Sequence, residues 1–130
     1  MKINTLQKYI GIPYKHLGRG VKGLDCWGLL CLFYQQEKGI ELPSYVDEYD
    51  GRASIAKAIN DNLGTWQWTD KPQFGDLMVF NILGLPIHTA IYLGCGNFLH
   101  SFQNTNSCIE RINSISWQRR LKGYYRWAKT

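Results

Sequence analysis

Asp25-Cys26-Trp27-Gly28-Leu29 and two histidines, His88 and His100, are the residues whose types and spacing could carry chemistry. Asp25 stands where a helix cap is expected, so Cys26 falls in the first helical turn, at the positive end of the helix dipole. A thiolate is favoured there, which a nucleophile needs because a free thiol has a pKa of about 8.5. A buried structural cysteine is the plain alternative, and Cys31, one turn deeper among leucines, reads that way. The histidines favour chemistry for Cys26. His88 opens the run His88-Thr89-Ala90-Ile91-Tyr92-Leu93, and His100 closes Asn97-Phe98-Leu99-His100. Gly94-Cys95-Gly96 between them suits a three-residue hairpin loop. In that register Ala90 pairs with His100, and His88 is its diagonal neighbour, ~7–8 Å away on the same face. A two-residue loop would put the two imidazoles on opposite faces. The roles then follow. Cys26 attacks a carbonyl, His88 takes its proton and returns it to the leaving amine, and neutral His100 orients His88. The Cys26 N–H at the helix start can help hold the oxyanion.

The elements that must position these groups change character along the chain. Residues 4–10 read as a short helix, capped by Asn4 or Thr5 and stopped by Gly11. The nucleophile helix should run from Cys26 to about Lys38 and close at Gly39. Its first turns are apolar on every side, the mark of a central buried helix. A third, amphipathic helix fits 53–63, with Ile55, Ile59 and Leu63 on one face. From Trp66 strands take over, at Leu77–Phe80, His88–Leu93, Phe98–Phe102 and Gly123–Trp127. Helices first and an antiparallel sheet after predict an α+β class, with the nucleophile helix packed on a central sheet.

Composition bounds the rest. A chain of 130 residues, 45% hydrophobic, fits a single domain over 1–130 with a packed core. Its longest apolar run is far short of the ~18 residues a membrane span needs. The start shows no signal peptide, so synthesis in the cytoplasm without export by the usual signal is expected. The cysteine spacing does not suggest a disulfide scaffold, and the one close pair, Cys26 and Cys31, is too widely spaced for a usual structural zinc site. No metal and no cofactor are expected. The net charge of +5 gathers in Arg111, Arg119, Arg120, Lys122, Arg126 and Lys129. No nucleic-acid motif accompanies it, so it reads as a solvated or docking face.

Pro13-Tyr14, Gly23-Leu24-Asp25-Cys26-Trp27-Gly28-Leu29, Pro72-x-x-Gly75-Asp76-Leu77, His88-Thr89-Ala90-Ile91-Tyr92-Leu93-Gly94 and Phe98-Leu99-His100-Ser101 occur in this order. Together they resemble the NlpC-type cell-wall cysteine peptidases. The resemblance implies a compact papain-like fold, a Cys26/His88/His100 triad, and cleavage of peptidoglycan stem peptides, often beside a D-γ-glutamyl linkage. It also implies that Tyr14, Asp25 and Trp27 bind substrate or order the site. Trp27 stands where secreted members usually carry serine, at a position that receives the substrate's amino end, and Leu17 replaces a usual glycine. The Asp-Cys-Trp-Gly form, the single-domain length and the Gly123-Tyr124-Tyr125-Arg126 ending look most like the tail-tip branch of phages and prophages. That resemblance implies tail proteins as partners and a place in the virion tail. Two alternatives stand beside this expectation. One is a structural or assembly subunit that keeps the fold. The other is an acyltransferase or deamidase using the same triad.

Overall fold

The apolar run after Cys26 forms the helix expected of it. In the computed structural model, which describes residues 6–43, 65–103 and 105–128, helix α1 spans Cys26–Phe33. It continues into a π-helical turn, Tyr34–Lys38, closed by Gly39 at φ 65°. Only glycine adopts that left-handed conformation without strain. The expected first helix is a single 3-10 turn, Gln7–Tyr9. Its proposed caps Asn4 and Thr5, and the third helix at 53–63, lie outside the described residues.

Between the first turn and α1 lies a small ribbon, β1 (Arg19–Gly20) and β2 (Gly23–Leu24). The main sheet comprises β3 (Trp66–Thr69), β4 (Leu77–Ile82), β5 (Leu85–Gly94), β6 (Asn97–His100), β7 (Cys108–Arg111) and β8 (Leu121–Trp127). Its spatial order is β3-β8-β4-β5-β6-β7, with every neighbouring pair antiparallel. A four-residue helix, α2 (Ile115–Gln118), sits between β7 and β8. The class is therefore α+β.

Alternate residues of a strand face opposite ways, and the sheet sorts its buried side chains accordingly. Leu77, Val79, Ile91 and Leu99 turn toward α1 and pack with Trp27, Leu29, Leu30 and Phe33. Met78, Phe80, Ala90 and Phe98 turn the other way and pack with Trp117 of α2. Two ties hold the chain just before β4, one from the turn that ends α1 and one from β8. The Tyr34 hydroxyl donates to the Gly75 carbonyl. Arg126 of β8 grips the buried Asp76 carboxylate, with Nε at 3.1 Å and Nη2 at 2.8 Å.

Two irregularities in β5 bear on the site. Phe80 pairs with His88 but Asn81 pairs with Pro86, so Ile87 is an extra residue immediately before His88. At the far end Tyr92 pairs with Phe98 and Gly94 with Asn97, so Leu93 is a second bulge. The β5–β6 turn itself has two residues, Cys95 and Gly96, both at positive φ. The expected three-residue loop is thus a two-residue turn plus a bulge. The bulge restores the same register, with Ile91 opposite Leu99, and so keeps both histidines on one face.

Candidate active site

Asp25 is the capping residue that the sequence pattern implies. Its carboxylate accepts from the Gly28 N–H at 2.8 Å, from Arg19 Nη1 at 2.7 Å and from the Leu17 N–H at 3.2 Å. One carboxylate therefore joins the helix start to the loop before it. Leu17 sits at φ 61°, in the left-handed region where glycine is unstrained. A glycine, which the resemblance implies here, would take that conformation without strain. An added Cβ on Gly28 would collide with the Gly18 carbonyl, so Gly28 lets this loop lie on the first turn of α1.

Cys26 is half-buried at the head of α1. Its Sγ lies 3.9 Å from the carbonyl of Ile87, the bulged residue. Bulges commonly re-aim groups beside active sites. Burial pushes the Cys26 thiol up to about 11, and the nearby Asp25 charge adds to the rise. Thr89, whose buried hydroxyl makes no hydrogen bond of good geometry, and Arg19 pull the other way without offsetting it. Desolvation at the sheet outweighs the helix-end effect, so the resting sulfur is a thiol, contrary to the thiolate expected from its position. Tyr14, bridged to Leu24, lies close enough to Cys26 and Asp25 to feel both. Burial first, then those two groups, raises its phenol to about 12.

The histidines form the second half of the site. His88 Nε2 and His100 Nδ1 are 2.8 Å apart, and both rings are buried. Burial holds His88 well below the usual histidine range, with His100 and Arg120 acting in the same direction. Burial also lowers His100, opposed by its bond to Glu110. His100 Nε2 lies 2.5 Å from Glu110 Oε2. Trp117 Nε1 donates to the other oxygen of that carboxylate at 3.2 Å. The Trp117 ring stands edge-on to His100 at 4.8 Å, with Phe102 at 4.9 Å from His88.

This chain fixes proton positions. A carboxylate only accepts, so His100 carries its proton on Nε2 and offers Nδ1 as acceptor. His88 then donates from Nε2, and its Nδ1 keeps a lone pair. Among the described residues no hydrogen bond joins that nitrogen to Cys26. The sulfur instead rests against the backbone flanking His88.

Of the sequence-derived site residues, the structure brings His88 and His100 into contact and gathers Tyr14 and Asp25 around Cys26. Trp27 is not brought to that cluster. Its ring is 2% exposed in the core beneath the helix, and its indole N–H donates to the Pro43 carbonyl at 2.7 Å. Glu110 and Trp117 were missed by sequence reasoning. Glu110 pairs directly with Phe98 across β6–β7, and only an assigned β7 strand could have placed it beside His100.

The pattern of the NlpC/P60 family matches residues 11–126. The chain belongs to the NlpC/P60 family. It is 28% identical over 111 residues to the murein DD-endopeptidase and murein LD-carboxypeptidase MepS of Escherichia coli K12, covering 85% of this chain and 53% of the relative. It is 30% identical over 128 residues to a gamma-DL-glutamyl hydrolase of Bacillus subtilis, covering 96% of this chain and 28% of that protein. The chain therefore spans about half or less of the length of these relatives. Among solved structures, an NlpC/P60 family protein of Bacillus cereus superposes with a TM-score of 0.71 at 26% identity, over 98% of this chain and 39% of that one. The α+β arrangement is thus the family's papain-like fold.

Proposed function

We propose that this chain is a cysteine hydrolase of bacterial peptidoglycan stem peptides. The observation that carries the reading is the hydrogen-bonded row His88–His100–Glu110, which leaves a lone pair on His88 Nδ1, in the strand whose Ile87 carbonyl lies 3.9 Å from Cys26 Sγ. Proton transfer requires the Cys26 thiol to leave the Ile87 carbonyl and to reach that nitrogen past the bulge. Nucleophile–base bonds are often loose before substrate binds and tighten afterwards. His88 takes the thiol proton as Sγ bonds to the carbonyl carbon, and the Cys26 N–H helps hold the oxyanion. The C–N bond breaks, the proton passes to the leaving amine, and water later releases the thioester. Glu110 acts through His100 and Trp117 through Glu110; both are positioning residues. Tyr14 lines the approach to the sulfur, and Trp27 supports the helix from beneath.

The relatives' names support murein as the polymer, and the Bacillus subtilis name supports a γ-linked glutamyl bond. A tail-tip setting, with tail proteins as partners, is the finer proposal. It is supported by the Asp25-Cys26-Trp27-Gly28 form and the Gly123-Tyr124-Tyr125-Arg126 motif. The unmade Cys26–His88 bond favours a second reading, a subunit that keeps the fold without catalysis. Incubation with purified peptidoglycan, followed by fragment masses, separates the two. The parent should release stem-peptide fragments and Cys26→Ala should release none. Equal release from both folded proteins would defeat the hydrolase.

A further inference from the structure

His100, Cys108 and Glu110 gather on the sheet face away from α1. His100 pairs directly with Cys108 across β6–β7, and Glu110, two residues further along β7, turns the same way. One donor atom from each, the histidine Nε2 or Nδ1, the cysteine Sγ and a carboxylate oxygen, lies within 4.8 Å of the others. Cys108 has no part in the proposed hydrolysis. We infer that these three residues form a site for a thiophilic divalent cation of the zinc class, and that filling it switches the hydrolase off.

The donor set is the first argument. Imidazole nitrogen, thiolate and carboxylate are the three ligand types zinc takes, at about 2.0–2.3 Å. Ligand atoms around a tetrahedral ion at those distances stand roughly 3.3–3.7 Å apart. Closing the cluster therefore needs side-chain rotations of about an ångström, while the 2.5 Å His100–Glu110 contact must open. The surroundings suit the task. Ligating carboxylates are held by outer hydrogen bonds, and Trp117 already holds the free oxygen of Glu110. Cys108 and Glu110 are only partly buried, so an ion can enter along β7.

The proton count explains why such an ion inhibits. Without it, His100 carries its proton on Nε2, toward Glu110, and accepts from His88 through Nδ1. A cation on His100 Nε2 takes that lone pair, and the neutral ring then carries its proton on Nδ1. His100 becomes a donor toward His88, so His88 Nε2 must accept and the His88 proton moves to Nδ1. That is the nitrogen needed to take a proton from Cys26. The two ring protons shift within the pair, the Cys108 thiol proton leaves to solvent, and the base is lost. Hydrolysis and metal binding demand opposite tautomers of the same two rings.

Cobalt(II) titration of the full chain reads the site directly, through the sulfur-to-cobalt charge-transfer absorption. The parent and Cys26→Ala should both show the band, and Cys108→Ser should lose it. A band lost in Cys26→Ala, or retained in Cys108→Ser, overturns the site. Should the serine variant fail to fold, cobalt protection of Cys108 from alkylation, mapped by mass in the unmodified chain, tests the same site. Absence of protection then counts against the site. The inhibitory consequence rests on the proposed hydrolysis and is read separately. With each protein's rate in chelator set to one, Cys108→Ser should raise the half-inhibiting zinc concentration roughly ten- to a hundredfold, the range that outer-shell changes alone produce. An unchanged zinc response alongside a lost cobalt band would keep the site and refute the switch. A protein without hydrolytic activity that still shows the band would refute the hydrolase reading alone.

Discussion

The two faces of the main sheet are built differently. The face under α1 draws its packing from contiguous apolar runs, Trp27–Phe33 and alternate residues of β4 and β5. The opposite face assembles Phe80, His88, Phe98, His100, Phe102, Glu110 and Trp117 from four strands, a loop and a four-residue helix. The first face carries Cys26, the proposed nucleophile, at the head of α1, and the second carries His88, the proposed base. The chemistry depends on how the two meet across the bulge at Ile87. The largest expected effect tests that meeting. A thiol raised to about 11 stays protonated through neutral pH, so Cys26 alkylation should climb tenfold per pH unit from pH 7 toward about 10, close to a thousandfold in all. Cys31, pushed up to about 12 chiefly by burial, should lag behind it. Peptide mapping by mass gives both rates. A Cys26 rate already level below pH 8 would mean a thiolate–imidazolium pair and a tighter junction between the faces.

Trp117 is the residue whose loss should damage the histidine face most. Its ring packs against Phe80, His100 and Phe102, and its N–H holds Glu110. Trp117→Ala should cost about 3–5 kcal/mol of stability, as for other buried tryptophans, and most of the activity as well. Trp117→Phe keeps much of the ring packing and loses the donor. It should recover most of the stability while turnover stays reduced, because Glu110 then holds His100 less firmly. Urea unfolding and turnover, measured on the same samples, separate the two effects. Full turnover in Trp117→Phe would show that the indole N–H positions nothing.

The Asp76–Arg126 pair at the start of β4 should respond through stability alone. Arg126→Ala strips the buried Asp76 carboxylate of its two charged donors and leaves the Gln73 N–H at 2.7 Å. Removing one partner of a fully buried pair costs about 3–5 kcal/mol. Arg126 is partly exposed, so about 2 kcal/mol is expected here. Turnover of the folded fraction should stay within about twofold of the parent, since among the described residues the side chains of Asp76 and Arg126 bond to Gln73, Lys71 and each other and to no site residue. A large loss of turnover without loss of stability would contradict that separation.

The difference between the faces also explains what was legible in the sequence. A capped helix start, a run apolar on all sides and a closing Gly39 are local signals, and α1 follows them. The pairing of His88 with His100 was legible because only a short hairpin separates them. Even so, the expected loop was one residue too long, and the bulge at Leu93 cancels the error. Glu110 and Trp117 were not legible. β7 is a short polar strand, Cys108-Ile109-Glu110-Arg111, with no alternation strong enough to announce its pairing with β6. The cation cluster shares that cause. Zinc spacing rules look for ligands close in sequence, and here His100 meets Cys108 and Glu110 across strands. The Ile87 bulge is invisible for a similar reason, since Leu85-Pro86-Ile87 reads as an ordinary apolar approach to His88.

The smallest effect lies at the other end of β5, where strain is separable from both faces. Leu83 and Gly84 form the two-residue turn between β4 and β5, at φ 50° and 83°. A turn with positive φ at both central residues is the type that favours Asn-Gly. Leucine in the left-handed region costs roughly 1–2 kcal/mol, which asparagine partly avoids by local hydrogen bonding. Leu83 is 88% exposed, so replacing it forfeits almost no packing. Leu83→Asn should therefore stabilise the fold by about 0.5–1 kcal/mol, a rise of about 3 °C in Tm for a domain of this size. Leu83→Val, β-branched and worse at positive φ, should move the other way. Turnover should be unchanged in both, because the bulge at Ile87 separates this turn from His88. If a change confined to the turn altered the Cys26 alkylation profile, β5 would be transmitting strain to the junction between the faces. If Asn and Val were indistinguishable by calorimetry, the turn would not hold Leu83 in the left-handed region.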